Sequence, residues 1–173
     1  MASLVVNSLW NCNVYLNGTS LLGRASEFEV PAPKRLMKDY GGLGMAAKID
    51  IPSGWDKMTA SITWASFDAT TIGLLASSTA IQQFAALGDI QVMTAAGETS
   101  DLPVIYNVSG LTIDPGPVNF KAQENITFKT TIQVYHVDLT VAGSQVYLFD
   151  AFSNQFIVNG IDQLAQYRAN IGG

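Results

Sequence analysis

"ITFKTTIQVYHVDLTVAG", residues 126–143, holds two apolar patterns that do not fit on one flat strand. Ile126, Phe128, Ile132 and Val134 share one parity, whereas Tyr135, Val137, Leu139 and Val141 share the other. Successive strand side chains point to opposite faces, so each half predicts a buried face, but not the same one. A regular strand cannot carry its apolar side across by itself; a bulge or bend is therefore expected near Val134 and Tyr135. Opposite the first apolar set stand Thr127, Lys129, Thr131 and Gln133.

The same polar face recurs in "DKMTASITWAS", residues 56–66, where Met58, Ala60, Ile62 and Trp64 alternate with Lys57, Thr59, Ser61 and Thr63. Upstream, "NVYLNGTSLL" sets Asn17-Gly18 between strand-like runs as a hairpin turn, with "GRASEFEV" as the return strand ended by Pro31 and Pro33. "KRLMKDY" and "AAKIDI" flank Gly41, Gly42 and Gly44 as a second hairpin over residues 38–50, closed by Pro52-Ser53-Gly54. Asp68 can cap a short helix that carries Ile72, Leu74 and Leu75 and ends somewhere between Ala76 and Leu87. "DIQVMTAAGE" and "DLPVIYNVSGLTIDPG" read as further strands, the second with Leu102, Val104, Tyr106 and Val108 on one face. Asn159-Gly160 is expected to turn into a C-terminal helix over 160–171, stopped by Gly172 and Gly173. The chain reads as one domain over 1–173, mainly β: a β-barrel or sandwich subunit with a short central helix and a C-terminal helix.

With 173 residues the chain suits a single domain. It is 48% hydrophobic but only 13% charged, about half the usual charged share, which fits a surface largely covered by other protein copies. The net charge of −5 opposes any clamp on nucleic-acid phosphates. Cys12 stands alone and His136 is the sole histidine, so Cys and His cannot build a metal site; no metal and no cofactor are expected. The start lacks a basic region before its apolar run, and no stretch reaches the roughly 20 apolar residues of a membrane span, which predicts a protein made in the cytoplasm. Asn-x-Ser/Thr triplets at Asn17, Asn107 and Asn125 are read as chance in an Asn- and Thr-rich chain.

Chemistry finds little support. His136 lies in a predicted strand with no nucleophile motif, and the pair Glu27/Glu29 shares one face of a strand as a solvated surface would. "GGLG" lacks both the strand-to-helix context and the Lys-Ser/Thr of a phosphate loop. Trp10, Trp55 and Trp64 have no basic groove beside them and read as core or subunit contacts. No catalytic residue is expected.

In their order these features resemble the major tail tube proteins of contractile-tailed bacteriophages and the related tubes of R-type tailocins. "VYLNG" followed by "EFEVPAPKRLMKDYGGLGMAAKID" is similar to that family's opening hairpin, Pro segment and Tyr, Gly and Met run. "SGLTIDPGPVNFKAQENITFKTTIQVYHVDLTVAG" is similar to its Asp-Pro-Gly turn and long strand, and "FIVNGIDQLAQYRANIG" to its C-terminal helix with a late arginine. The chain is shorter than the family pattern between Met45 and Ile49, so a shorter finger is expected.

The resemblance implies homohexameric rings that close strands into one ring-wide barrel and stack into a hollow tube in a virion tail. Sheath, tape-measure and baseplate proteins are the implied partners, and DNA passes through the lumen without specific binding. On that footing Tyr40, Gly41, Gly42, Gly44 and Met45 are expected at the inter-ring contact. Thr59, Ser61, Thr63, Lys129, Thr131 and Gln133 are expected to line the lumen, and Gln163, Tyr167 and Arg168 to make ring or sheath contacts. The rival expectations are a monomeric ligand-binding β-barrel of lipocalin type and a secretion-system needle ring.

Overall fold

The computed structural model describes residues 4–77, 79–118 and 126–172; Asn125 and Gly173 lie outside them. In chain order the elements are β1 (Val5–Leu16), β2 (Thr19–Ser20), β3 (Ala25–Glu29), β4 (Arg35–Tyr40), β5 (Ile49–Trp55), β6 (Met58–Trp64), α1 (Ala69–Leu75), β7 (Gln82–Thr94), β8 (Gly97–Asp114), β9 (Phe128–Val141), β10 (Ser144–Asp150), β11 (Gln155–Val158), β12 (Ile161–Asp162) and α2 (Ala165–Ile171). All but β4 and β5 join a ten-stranded sheet along the path β12-β11-β10-β9-β8-β7-β1-β2, with β6 and β3 branching from β9. The remaining two strands form their own ribbon. Neighbours pair antiparallel throughout the described residues.

The parity change in residues 126–143 has a definite place. Ser109 of β8 faces His136, whereas Gly110 faces Val134, which leaves Tyr135 as the extra residue of a bulge. Before the bulge, one edge of β9 pairs with β6; beyond it, that edge pairs with β10. Tyr135 is thus where the sheet divides, and its carbonyl accepts the Ala151 N–H at 2.9 Å from the turn after β10.

The apolar set of one branch meets that of the other. Ala60, Ile62 and Trp64 of β6 join Leu16, Phe84, Val108, Ile132 and Val137 in one buried cluster, with Leu21 and the helix residue Leu75. Each fully buried large side chain contributes about 1.5–3 kcal/mol. The alternation read in residues 57–64 holds at the even positions, Met58 to Trp64, which are all buried; on the opposite face Thr59 is exposed but Ser61, hydrogen-bonded to Glu29, is buried as well. Two polar groups inside are paired with care: the Trp64 indole N–H donates to Thr130 Oγ1 at 2.8 Å, and the Thr130 hydroxyl donates to the Pro115 carbonyl at 3.0 Å. Asp68 caps α1 by accepting the Thr71 N–H at 3.0 Å and is held by Arg24 at 2.9 Å.

Four expectations need correction. The return strand of the first hairpin is only Thr19–Ser20; "GRASEFEV" leaves β1 and pairs with β6 instead, because Phe28 turns inward against Phe84. Pro52-Ser53-Gly54 does not close the second hairpin but lies within β5, where a register shift between Leu36 and Met37 absorbs the proline. The strand expected from Asp89 begins at Gln82, as the next element after α1. Asn159-Gly160 turns between β11 and β12, and α2 covers Ala165–Ile171 rather than 160–171. Gly172 does stop it, in a left-handed C-cap.

Replacing Thr130 with Val is expected to leave the Trp64 N–H without its partner and cost about 1–3 kcal/mol in chemical denaturation, with Thr130→Ser close to wild type. At Gly110 an added Cβ would stand 2.4 Å from the Gln133 carbonyl oxygen, so an alanine must push the two central strands apart. Gly110→Ala is therefore expected to lower the thermal midpoint by the equivalent of about 1–3 kcal/mol, measured by circular dichroism.

Candidate assembly surfaces

The β4–β5 ribbon is exposed along nearly its whole length. Leu36, Met37, Tyr40, Leu43, Met45, Ile49 and Ile51 all face solvent, an apolar run that an isolated ribbon cannot bury. Its root is firm. Trp55 packs edge-on against Phe156 at 4.7 Å between ring centroids and against Phe149 at 5.4 Å, with the Arg35 guanidinium 5.1 Å over its ring. Just upstream, the Tyr106 hydroxyl donates to the Pro31 carbonyl at 2.9 Å and also contacts the Tyr147 hydroxyl. Burial, then that contact, pushes the Tyr106 phenol well above its usual range, so it remains a neutral donor.

The tip follows the glycines. Met45 N–H donates to the Gly42 carbonyl at 3.2 Å around Leu43-Gly44, with Gly44 at φ +87°, the conformation a turn of this type reserves for glycine. The Met45 sulfur folds back to within 3.2 Å of the Gly42 nitrogen, and Tyr40 pairs with Ile49 at the neck. The five residues expected at an inter-ring contact thus share one protruding tip. One cross-strand pair is unfavourable: Asp39 stands directly opposite Asp50.

The six residues expected along a lumen form three adjacent cross-strand pairs on one face: Thr59 with Gln133, Ser61 with Thr131, and Thr63 with Lys129. β3 widens this polar face with two residues that sequence reasoning left out. Glu29 lies beside Ser61 and Glu27 beside Thr63. The Ser61 hydroxyl donates to Glu29 at 2.9 Å, Thr63 to Glu27 at 3.3 Å, and Lys129 bridges to Glu29 at 3.4 Å. The Ser61 hydroxyl, then Lys129, holds the Glu29 carboxyl below its usual range. The signal was present in the Glu-Phe-Glu alternation; the partner strand was not.

At the C-terminal end Gln163 and Tyr167 are exposed, whereas Arg168 is tied internally. Its guanidinium donates to the Asn154 carbonyl at 2.8 Å and pairs with Asp162, whose carboxyl that contact lowers. The arginine clamps α2 onto β11 and β12.

Register also sets Ser109, His136 and Asp150 in one row across β8, β9 and β10. His136 Nδ1 lies 3.4 Å from Asp150 Oδ2, yet no hydrogen bond joins Ser109 to His136 among the described residues. The imidazole and carboxylate tie two strands together. Among the described residues no group of three or more His, Cys, Asp or Glu could hold a metal ion, and no helix is long and apolar enough to cross a membrane.

Comparison with known proteins agrees with a chain built for assembly. The model of the family described as phage tail tube protein FII matches residues 6–172. The tail tube protein of Escherichia phage P2 is 30% identical over 166 residues, which span 92% of this chain and 94% of that protein. Among solved structures, the sheath/tube terminator of the extracellular contractile injection system PVC superposes with a TM-score of 0.55 at 13% identity, over 76% of this chain and 94% of that one. The PVC sheath-tube complex gives 0.54 at 14% identity, over 76% and 88%. These two likenesses show a shared fold. With the family's pattern running from β1 to the end of α2, the chain belongs to the phage tail tube protein FII family.

Proposed function

We propose that the chain is a structural subunit of a contractile tail tube, in which six copies form a ring and rings stack into a hollow conduit in the virion tail. One observation carries the reading: in a chain that matches a tube family nearly end to end, the subunit's surface is left unfinished. The outer half of β1 exposes Val5, Val6, Leu9 and Trp10 along a sheet edge that β2 covers only at Tyr15 and Leu16. An uncovered edge of this length invites another strand, and closing sheets across subunits removes the hazard.

A ligand-binding barrel would need an enclosed pocket. Here the interior is filled by Trp64, Phe84, Ile62 and their neighbours.

In the ring, the face of Thr59, Ser61, Thr63, Lys129, Thr131 and Gln133 lines the lumen, and Glu27 and Glu29 extend it. Among these residues the cation, Lys129, is already paired with Glu29. A wall of hydroxyls and carboxylates offers phosphate little attraction, so DNA slides without specific binding. The glycine tip with Tyr40 and Met45 reaches the adjacent ring, since methionine adapts to irregular pockets. Tyr167 makes ring or sheath contacts from the helix that Arg168 fixes in place, and Gln163 from the turn that leads into it. Sheath, tape-measure and baseplate proteins complete the assembly.

Electron microscopy of the purified chain over a concentration series is expected to show stacked hollow rings, and Met45→Asp to abolish them while leaving the circular dichroism spectrum unchanged. Normal tubes from that variant would remove the tip from the contact. In assembled tubes of a Cys12→Ser, Thr131→Cys variant, a small maleimide is expected to label the new thiol and a long polymer maleimide to be excluded from it. Equal labelling by both reagents would place this face outside the lumen.

A further inference from the structure

Charge is unevenly divided along the chain. Five of the nine Lys and Arg residues, Lys34, Arg35, Lys38, Lys48 and Lys57, fall in the short stretch that holds the ribbon, against Asp39, Asp50 and Asp56. β1 carries no charge, and β7 with β8 carries Asp89, Glu98, Asp101 and Asp114 with no cation.

Two of these acids, Asp89 and Asp101, have a common setting. On the face of β1, β7 and β8 that turns away from the core, Asn11 faces Asp89 and Asp89 faces Pro103, with Asp101 one row further along beside Gln91. A groove of about 480 Å³ opens there, with Asp89 and Asp101 beside the exposed side chains of Leu22 and Leu87. Asn13 also lines it. The Asn13 amide nitrogen donates to Ser20 Oγ at 2.8 Å, but its enclosed Oδ1 accepts no hydrogen bond among the described residues. The two carboxylates and the apolar rim call for a cation set among apolar side chains.

The ribbon tip has that composition: Leu43 and Met45 are exposed there, and the Lys48 side chain stands next to Gly41 at its base. Its own subunit does not supply it: Leu43 at the tip and Leu22 at the groove both stand exposed. The ribbon is rooted on Phe149 and Phe156 at β10 and β11, whereas the groove lies at β1. From β10 to β1 is four strand spacings, roughly 19 Å along the sheet at about 4.8 Å each. A contact that joins one side of a subunit to a different side of the next is head-to-tail, the type that generates rings and stacks.

We propose that this groove receives the β4–β5 tip of a second copy, with the Lys48 ammonium between Asp89 and Asp101 and with Leu43 and Met45 against Leu22 and Leu87. The proposal deepens the tube reading and rests on it for the second copy.

Charge reversal tests the pairing in the full-length chain. Lys48→Glu and Asp101→Lys are each expected to reduce stacked-ring formation at least roughly tenfold in sedimentation, and their combination to restore it. A combined variant that assembles no better than either single one, with all three folded by circular dichroism, overturns the pairing. Proximity is read separately by mixing Leu22→Cys and Leu43→Cys chains, both in a Cys12→Ser background, with a short bismaleimide. A covalent dimer of the two variants is expected. Rings without that dimer overturn the docking and leave the tube reading intact; the dimer without rings keeps the docking and removes the tube reading.

Discussion

A strand has only two faces, and β9 has to bury a different one at each end. Tyr135 resolves this by standing unpaired between Ser109 and Gly110 of the neighbouring strand, so that inward-facing positions change parity without a break in the chain. Everything else is arranged around that point. Below it the strand supports β6 and β3; above it, β10, β11 and the C-terminal helix. Gly110 is placed where β8 and β9 come too close for any side chain, so the bulge and the glycine are two halves of one fitting.

Division of the sheet also explains where the subunit's surfaces lie. The branch through β6 and β3 turns its polar face outward as one continuous set of hydroxyls and carboxylates, while the aromatic contacts at Trp55, Phe149 and Phe156 anchor the ribbon to the other branch. The ribbon can therefore protrude without loosening the core. Apolar side chains that a solitary protein would hide, Trp10 at 71% exposure among them, stay open on the subunit's surface.

Much of the β content was legible because periodicity is local. The alternation in residues 57–64, the parity change at Tyr135, the cap at Asp68 and the two hairpin turns all depend on neighbours a few positions apart. What escaped depended on distant partners. "SEFE" alternates well enough to be a strand, but nothing in it names β6, so Glu27 and Glu29 were separated from the serine and threonine they accept from. Arg168 looked free for a partner until Asp162, six residues earlier, was seen to fold beneath it. The groove beside Asp89 and Asp101 was not visible at all, since its walls come from three strands spread over most of the first hundred residues.

Asp39 and Asp50, opposed across the ribbon, have a kinetic meaning. Like charges in register weaken an isolated hairpin by a few tenths to about 1 kcal/mol, so the finger of a free copy spends more time unformed than its turn sequence alone would dictate. In the proposed stacking, two free copies that meet must both order their fingers, whereas a copy arriving at an existing end finds a template already set. Growth is then nucleated: new filaments start rarely, established ends extend readily, and the decision to build is left to whatever supplies the first ring.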